Sequence, residues 1–476
     1  ADVSVTNVDD DTAGVTVGTL SGNTTEAGPG TATFTVVLDS EPTATVTIDV
    51  TADDPSEGAV TDPVSGTLTF TAANWDTPQT VTVTGVDDDV DDGDVAYTIV
   101  LDPATSTDPN YSGLDPADVA TTNVDDDTAG VTVGEISGNT TEAGPGTATF
   151  TLVLDSEPTA TVTIDVTADD PSEAAVTDPV SGTLTFTAVN WSTPQTVTVS
   201  GVDDDVDDGD VAYTIILDPA TSTDPNYSGF DPADVAVTNV DDDTAGVTVT
   251  PTSGLTTTEA GGTAQFDVVL DSEPTADVTI AVASDDDSEG DVTAPGGGSL
   301  TFTSANWDTP QTVTVTGDDD AFADGDIAYA IVLDPATSTD PNYSGFDPTD
   351  VSVTNTDDET AGFSITEVGG DTETDEDGID QNVTVVLTEQ PETNVVIDIT
   401  EDDTDDSELT LSVTTLTFTP SNWNVPQNIV VSPLTDGIQD GDQVITITFS
   451  VNDASSPPPF GALADQTVIA TIFDID

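Results

Sequence analysis

The hexapeptide Asp-Asp-Asp-Thr-Ala-Gly occupies Asp9–Gly14 and returns at Asp125–Gly130 and Asp241–Gly246, with the variant Asp-Asp-Glu-Thr-Ala-Gly at Asp357–Gly362. Trp75, Trp191, Trp307 and Trp423 keep the same step of 116 residues, each inside an Asn-Trp-x-x-Pro-Gln stretch. Periods of about 20–50 residues belong to solenoids and propellers, whereas a period above about 100 is the length of an independent domain. The chain therefore divides into a leading piece, 1–11, that looks like the final strand and Asp cluster of a preceding repeat, then repeats at 12–127, 128–243 and 244–358 and a divergent fourth at 359–476. No Gly/Ser-rich or Pro-rich linker separates them. Ala1–Val8 matches Ala233–Val240, while the fourth repeat supplies its own last strand near Thr467–Ile472. The expectation is that Ala1–Val8 completes a sandwich of a preceding repeat or a neighbouring subunit.

Within a repeat the apolar period is two, the mark of half-buried strands. In the first copy seven segments qualify: Val15–Leu20, Ala32–Leu38, Ala44–Thr51, Thr67–Thr71, Thr80–Val86, Val95–Leu101 and Asp118–Val124. Val81 and Val83 alternate with Thr80, Thr82 and Thr84, and threonine suits the wet face of a strand because its β-branching fits the pleat. No stretch carries a helical period. The fold class this predicts is all-β: four tandem seven-stranded immunoglobulin-like sandwiches arranged head to tail as a rod. The tryptophan, coming after the fourth strand in every copy, is expected to plug one end of the core.

Charge supplies the second constraint. The 476 residues contain no Lys, Arg or His against 94 Asp and Glu, and no Cys or Met. No carboxylate can find a cationic side chain, and two carboxylates 5 Å apart repel by roughly 3 kcal/mol at an effective dielectric near 20. Domain stability is itself only about 5–15 kcal/mol, so the missing positive charge has to come from solution. Phosphate recognition needs Lys and Arg, which excludes nucleic acid as a partner. No His or Lys exists to activate a Ser or Thr nucleophile, and the paired carboxylates that could serve glycoside hydrolysis sit in the expected metal loops, so no enzymatic activity is expected. No apolar run is long enough for a helical membrane span.

If consecutive strands run antiparallel, one end of the first sandwich collects Glu26, Asp53, Asp54, Glu57, Asp87, Asp88, Asp89, Asp91, Asp92 and Asp94, and Asp125–Asp127 arrive there from the last strand. The other end holds the more scattered Asp39, Glu41, Asp76, Asp102, Asp108, Asp115 and Asp118. A single Asp in a loop is ordinarily a turn residue. A convergence of this size without a cation points to bound metal, and an all-oxygen donor set suits Ca²⁺ and leaves zinc and copper without their His and Cys. The pattern is no EF-hand: Asp87-x-Asp89-x-Asp91 begins as one, but Asp92 stands where that loop needs Gly and Thr98 where it needs Glu.

Thr-Leu-Thr-Phe-Thr at 67–71, the Asn-Trp-x-x-Pro-Gln stretch, Thr-Val-Thr-Val-Thr-Gly-Val-Asp-Asp at 80–88 and the closing Asp triplet together resemble a Calx-beta domain. The resemblance covers all four copies and is strong in three. It implies a seven-stranded sandwich binding several calcium ions per repeat at one end. Carried over by position, the ligands fall on Glu26, Asp53 or Asp54, Asp87, Asp88, Asp92 and Asp125, Asp126 and Asp127 in the first repeat. In the second they are Glu142, Asp169, Asp170, Asp203, Asp204, Asp208 and Asp241, Asp242 and Asp243. In the third they are Glu259, Asp285, Asp286, Asp319, Asp320, Asp324, Asp357 and Asp358. The fourth keeps Glu376, Asp436, Asp440, Asp474 and Asp476, with Pro433-Leu434-Thr435 replacing the first paired Asp, so fewer or weaker ions are expected there.

The function expected is a calcium-stabilised extracellular structural rod, the stalk of a surface adhesin or the body of a fibre, whose partners are further copies of the repeat or neighbouring subunits. The rival is a glycan- or protein-binding module acting through the loop Asp102–Asp118, which carries Asp-Pro-Asn-Tyr-Ser-Gly. A halophilic surface would also be acidic, but with carboxylates spread over every face.

Overall fold

The computed structural model describes every residue except 1, 2, 29, 145, 404–407, 436, 440 and 476. The chain forms two compact units, one of Ala1–Asp204 with Asp208–Asp242, the other of Asp205–Asp207 with Asp243–Asp476. Its sheets come in four pairs, one pair built on each repeat, with the same strand order in all four.

In the first repeat the strands are β1 (Val15–Val17), β2 (Thr24–Thr25), β3 (Thr31–Leu38), β4 (Val46–Ala52), β5 (Gly58–Asp62), β6 (Thr67–Phe70), β7 (Gln79–Gly85), β8 (Val95–Leu101), β9 (Thr105–Ser106) and β10 (Val119–Val124). One sheet has the order β1-β3-β7-β5, the other β2-β10-β8-β4-β6, with β9 beside β4. Alternate residues of the two inner faces make the core. Phe34, Val36 and Leu38 from β3 and Val81 and Val83 from β7 meet Val46, Ile48 and Val50 from β4 and Ile99 and Leu101 from β8, all essentially without exposure. Burying such a side chain fully contributes about 1.5–3 kcal/mol, and the threonines between them stay at the surface. Trp75 is half-buried against the edge of this core, and its carbonyl accepts the Leu38 N–H at 3.1 Å.

One of the seven expected strands is split between the sheets, and another is preceded by a half-strand in the opposite sheet. The expected first strand, Val15–Leu20, stops at Val17; the chain crosses and resumes as β2, parallel to β10. A strand at Gly58–Asp62, absent from the sequence-based reading, pairs with β7, and the chain then crosses to β6, which pairs with β4. Each pair of half-strands runs in one direction, so the seven-strand path keeps its alternation and both ends of the sandwich stay where strand parity put them. The starts of β3, β5 and β8 and the ends of β2, β4, β7 and β10 share one pole, as the pairings Thr31↔Thr84, Gly58↔Gly85, Ala52↔Ile99, Asn123↔Val95 and Val124↔Thr25 fix.

The fourth repeat repeats this topology around Phe418, Phe449 and Phe460. It adds one helical turn at Pro458–Gly461, which the strand pattern did not anticipate. Val3–Asp11 form no strand within the chain, and Val3, Val5 and Val8 are exposed.

Phe186 is fully buried between the sheets of the second repeat. Phe186→Ala should lower that repeat's unfolding free energy by about 3–5 kcal/mol, whereas Val180→Ala, at a position 92% exposed, should leave urea unfolding unchanged.

Candidate metal centre

Glu26 forms the floor of the acidic pole. It follows the two residues of β2, and its own N–H donates to Val124 O at 3.0 Å, which draws it under the end of β10. Only 2% of it is exposed. Oε1 accepts from Asn123 Nδ2 at 2.9 Å, while Oε2, also buried, has no hydrogen-bond partner among the described residues. Asp125 and Asp127 each bring a carboxylate oxygen into a cluster with Glu26 whose ligand atoms lie within 4.8 Å of one another. Glu57, at the start of β5, is also buried with an unpartnered Oε2.

A polar network holds this floor. Asn123 on β10 is fully buried; its amide also donates to Val86 O at 2.9 Å, and its Oδ1 accepts from Thr24 Oγ1 at 3.0 Å. Tyr97 OH lies 2.9 Å from the same threonine hydroxyl. Over the floor comes the loop between β7 and β8. Gly93 sits at φ +76°, a backbone conformation other residues rarely adopt, and its N–H donates to Asp125 Oδ2 at 2.7 Å. Gly209 to Asp241, Gly325 to Asp357 and Gly441 to Asp474 repeat that bond at 2.7, 2.7 and 2.6 Å. The divergent fourth repeat thus keeps the anchor.

Burial pushes the Glu26 carboxyl up to about 7, and Asp88, Asp125, Asp92 and Glu57 push the same way. Asp127 is raised to about 6 by burial and by Asp126 and Asp125. Glu142 is raised to about 7 by burial and by Asp204 and Asp241, and Asp324 to about 6 by burial and by Asp320. Glu57, Glu173, Glu289 and Asp92 are also raised, burial again leading. Such carboxylates require a counter-charge or a proton.

The carried-over residues separate by position. Glu26, Asp125 and Asp127 come together, with Asp88 and Asp92 near enough to act on Glu26. Asp53 spends Oδ1 on Thr98 N–H at 2.6 Å, and Asp169 and Asp285 bind Thr214 and Ala330 N–H in the same way, each at 2.7 Å. Asp54 and Asp170 hold their own turns through Ser56 and Ser172, which lower their pKa values, and Asp286 accepts from Ser288 N–H at 3.1 Å. Asp87, Asp126, Asp203, Asp242, Asp319 and Asp358 are exposed. In the third repeat two clusters form, Glu259 with Asp357 and Glu359, and Glu289 with Asp320 and Asp324. Burial raises Glu259 and Glu359, which share a hydrogen bond. Glu376 is 3% exposed at the corresponding place in the fourth repeat; Asp436, Asp440 and Asp476 lie outside the described residues.

Sequence reasoning left Glu289 and Glu359 out of the ligand set, together with Glu57 and Glu173. The available signal was a Glu three residues after the second Asp of each pair, in Asp54-Pro-Ser-Glu57, Asp170-Pro-Ser-Glu173 and Asp286-Asp-Ser-Glu289. Glu359 stands where the first two repeats have Asp127 and Asp243.

The donor set fits calcium. It is all oxygen, several of its carboxylate atoms are buried without a partner, and no cationic side chain exists to neutralise them. Hard cations that accept six to eight flexible oxygens match such a set.

The Calx-beta domain model matches residues 9–128, 132–244 and 241–359, most of the chain, and the chain belongs to the Calx-beta family. The fourth repeat lies outside the matched residues. The chain is similar to the calcium binding domain CBD12 of CALX1.1 (17% identity, 44% of this chain and 80% of that one, TM-score 0.18). It is also similar to the human desmocollin-1 ectodomain (9%, 90% and 72%, TM-score 0.22) and to domains 5–6 of the S-layer protein SbsC (16%, 48% and 98%, TM-score 0.16). Scores this low carry no argument about the present chain. No curated protein matches it.

A group whose folded pKa lies above its unfolded value adds stability below the unfolded pKa and loses it as pH rises through the folded one. For Glu26 that window runs from 4.5 to about 7, and for Asp127 from 3.8 to about 6. The calcium-free protein should therefore melt at a higher temperature at pH 5 than at pH 8 in calorimetry at fixed ionic strength. Saturating calcium should flatten or reverse that slope, since metal binding displaces the protons.

Proposed function

We propose that this chain is a calcium-stabilised structural rod of the extracellular surface, the stalk of an adhesin or the body of a fibre. The observation that carries the reading is the buried, unpartnered carboxylate oxygen of Glu26 and of Glu142, each under an Asp cluster at the end of its sandwich. A fold that buries such groups without any cation of its own is suited to an environment rich in divalent ions. Glu26, Glu57, Asp88, Asp92, Asp125 and Asp127 would hold calcium in the first repeat, with Glu142, Glu173, Asp204, Asp208, Asp241 and Asp243 their counterparts in the second. Bound calcium would supply the positive charge that lets these carboxylates stay close. The residues themselves contribute a dry floor, the Asn123 support and the glycine anchor of the covering loop.

Calcium that binds only the folded state would stabilise it by RT ln(1 + [L]/Kd), so each repeat's stability would rise with occupancy. Repeats without flexible linkers then transmit force along their strands. The long strands of seven or eight residues, rising about 3.3 Å per residue, together with the loops at both ends would make a module of about 40 Å and four of them about 160 Å. The partners are other copies of the repeat or neighbouring subunits.

Small-angle scattering at fixed ionic strength tests this. With calcium the maximum dimension should be of order 160 Å with little flexibility, and a chelator should shorten it and broaden the distribution. A curve indifferent to full calcium removal leaves a plain acidic spacer. At the level of residues, Asp203→Asn with Asp204→Asn should remove calcium from the second repeat's pole in equilibrium dialysis. Asp39→Asn should remove none, because Asp39 lies at the opposite pole, bonded to Thr16 Oγ1 at 2.6 Å. Equal losses would refute the assignment of the poles.

A further inference from the structure

We propose that Asn226, in the Asp-Pro-Asn-Tyr loop of the second repeat, is a positioning residue for the acidic pole of the first. The loop that the rival reading made an adhesive surface is thereby a seat for the preceding repeat's acidic loop. The proposal rests on the calcium reading only for its binding arm.

The loop between β7 and β8 has two sides. Toward its own repeat, Asp88 and Asp92 act on Glu26, and Gly93 binds Asp125. Toward the next repeat, Asp89 O accepts from Glu157 N–H at 2.6 Å, Asp91 Oδ2 accepts from Ala129 N–H at 2.8 Å, and Asp91 O accepts from Asn226 Nδ2. Asp91 therefore spends its carboxylate on the next repeat, and Asn226 holds the backbone between Asp88 and Asp92.

The seat is rigid before anything docks on it. Asp224 is 4% exposed and accepts from Asn226 N–H at 3.0 Å and Thr159 N–H at 2.7 Å. Tyr227 OH donates to Ser156 O at 2.8 Å. The first repeat builds the same platform with Asp108 to Asn110 N–H at 3.0 Å and Tyr111 OH to Ser40 O at 2.7 Å. There the Asn110 amide has no partner among the described residues, so the platform forms without a docked loop. A preformed seat costs little ordering on contact.

A matched pair of changes within the chain ties the two residues together. In the second unit Asp207 repeats the arrangement, its Oδ2 taking Ala245 N–H at 2.7 Å and its carbonyl taking Asn342 Nδ2. The fourth repeat has no Asp-Pro-Asn-Tyr; it carries Pro457-Pro458-Pro459-Phe460 instead. In the loop that meets it, the position of Asp91 is Ala323, which is fully buried in the fourth repeat's core and donates its N–H to Gln390 O at 2.9 Å. Where the donating Asn is gone, the Asp whose carbonyl accepts from it is gone too, and an apolar side chain takes its place.

The test uses the whole chain with Asn226→Ala, Asn226→Asp and, as control, Asn110→Ala, read by hydrogen exchange of residues 86–94 and by calcium titration. Both Asn226 variants should speed exchange in that loop and weaken one class of calcium site about fivefold, the ratio one net hydrogen bond supplies. Asn110→Ala should match the wild type in both. Unchanged loop exchange in both Asn226 variants, or an equal change in Asn110→Ala, overturns the proposal. Should the chain bind no calcium, the calcium reading falls and the exchange arm alone decides the positioning role.

Discussion

Mutual repulsion among carboxylates gathered at one pole of each sandwich is the constraint on which the rest depends. At an effective dielectric near 20, two charges less than 5 Å apart cost over about 3 kcal/mol, and each pole brings several together. In most proteins lysine or arginine would offset this; here the sequence has neither. The folded state answers with two temporary measures, raised pKa values that favour protonation and hydrogen bonds from backbone N–H groups to the outer aspartates. No N–H reaches the buried Oε2 of Glu26 or Glu142, and protonation of these two groups is lost as pH rises through about 7. A divalent cation would reach them.

The sandwich is shaped around that pole. Strands that begin in one sheet and finish in the other, β1 into β2 and β5 into β6, let Glu26 and Glu57 enter from the sheet edges without breaking the core. Close packing does the rest. A Cβ on Gly85 would stand 2.4 Å from Asn123 Oδ1 and 2.5 Å from Thr25 O, so glycine there lets β7 press the buried amide against Glu26. Buried Phe, Val, Ile and Leu side chains fill the space between the sheets below it. Because the loop above the floor is also held by the following repeat within the first unit, site and junction share one backbone segment.

Much of this was legible in the residues. Alternation of Val with Thr located Val95–Leu101 residue for residue and β3, β4 and β7 to within a residue or two. Strand parity alone placed the carboxylates at the correct end. Sheet switching was not legible, because two half-strands running in one direction keep the same alternation as a single strand. Glu57 and Glu289 were hidden for a related reason: their burial depends on the unseen strand at Gly58–Asp62 and its counterpart. A lone Asn123 on a strand looks like an outward polar residue until the depth of β10 is known. The aspartates at 53 and 54 show the opposite effect, since their spacing suggests ligands while their carboxylates first satisfy nearby N–H groups.

If a bound divalent ion, and not salt in general, neutralises these poles, calcium and sodium must act differently at equal ionic strength. Calorimetric titration of the full chain with calcium, at an ionic strength held constant with sodium chloride, tests it most directly. Saturable binding of more than one ion per chain, proton release on binding near pH 7, and a higher melting temperature in calcium than in sodium at equal ionic strength are the expected results. Absence of saturable heat, with a melting temperature that follows ionic strength alone, would contradict it.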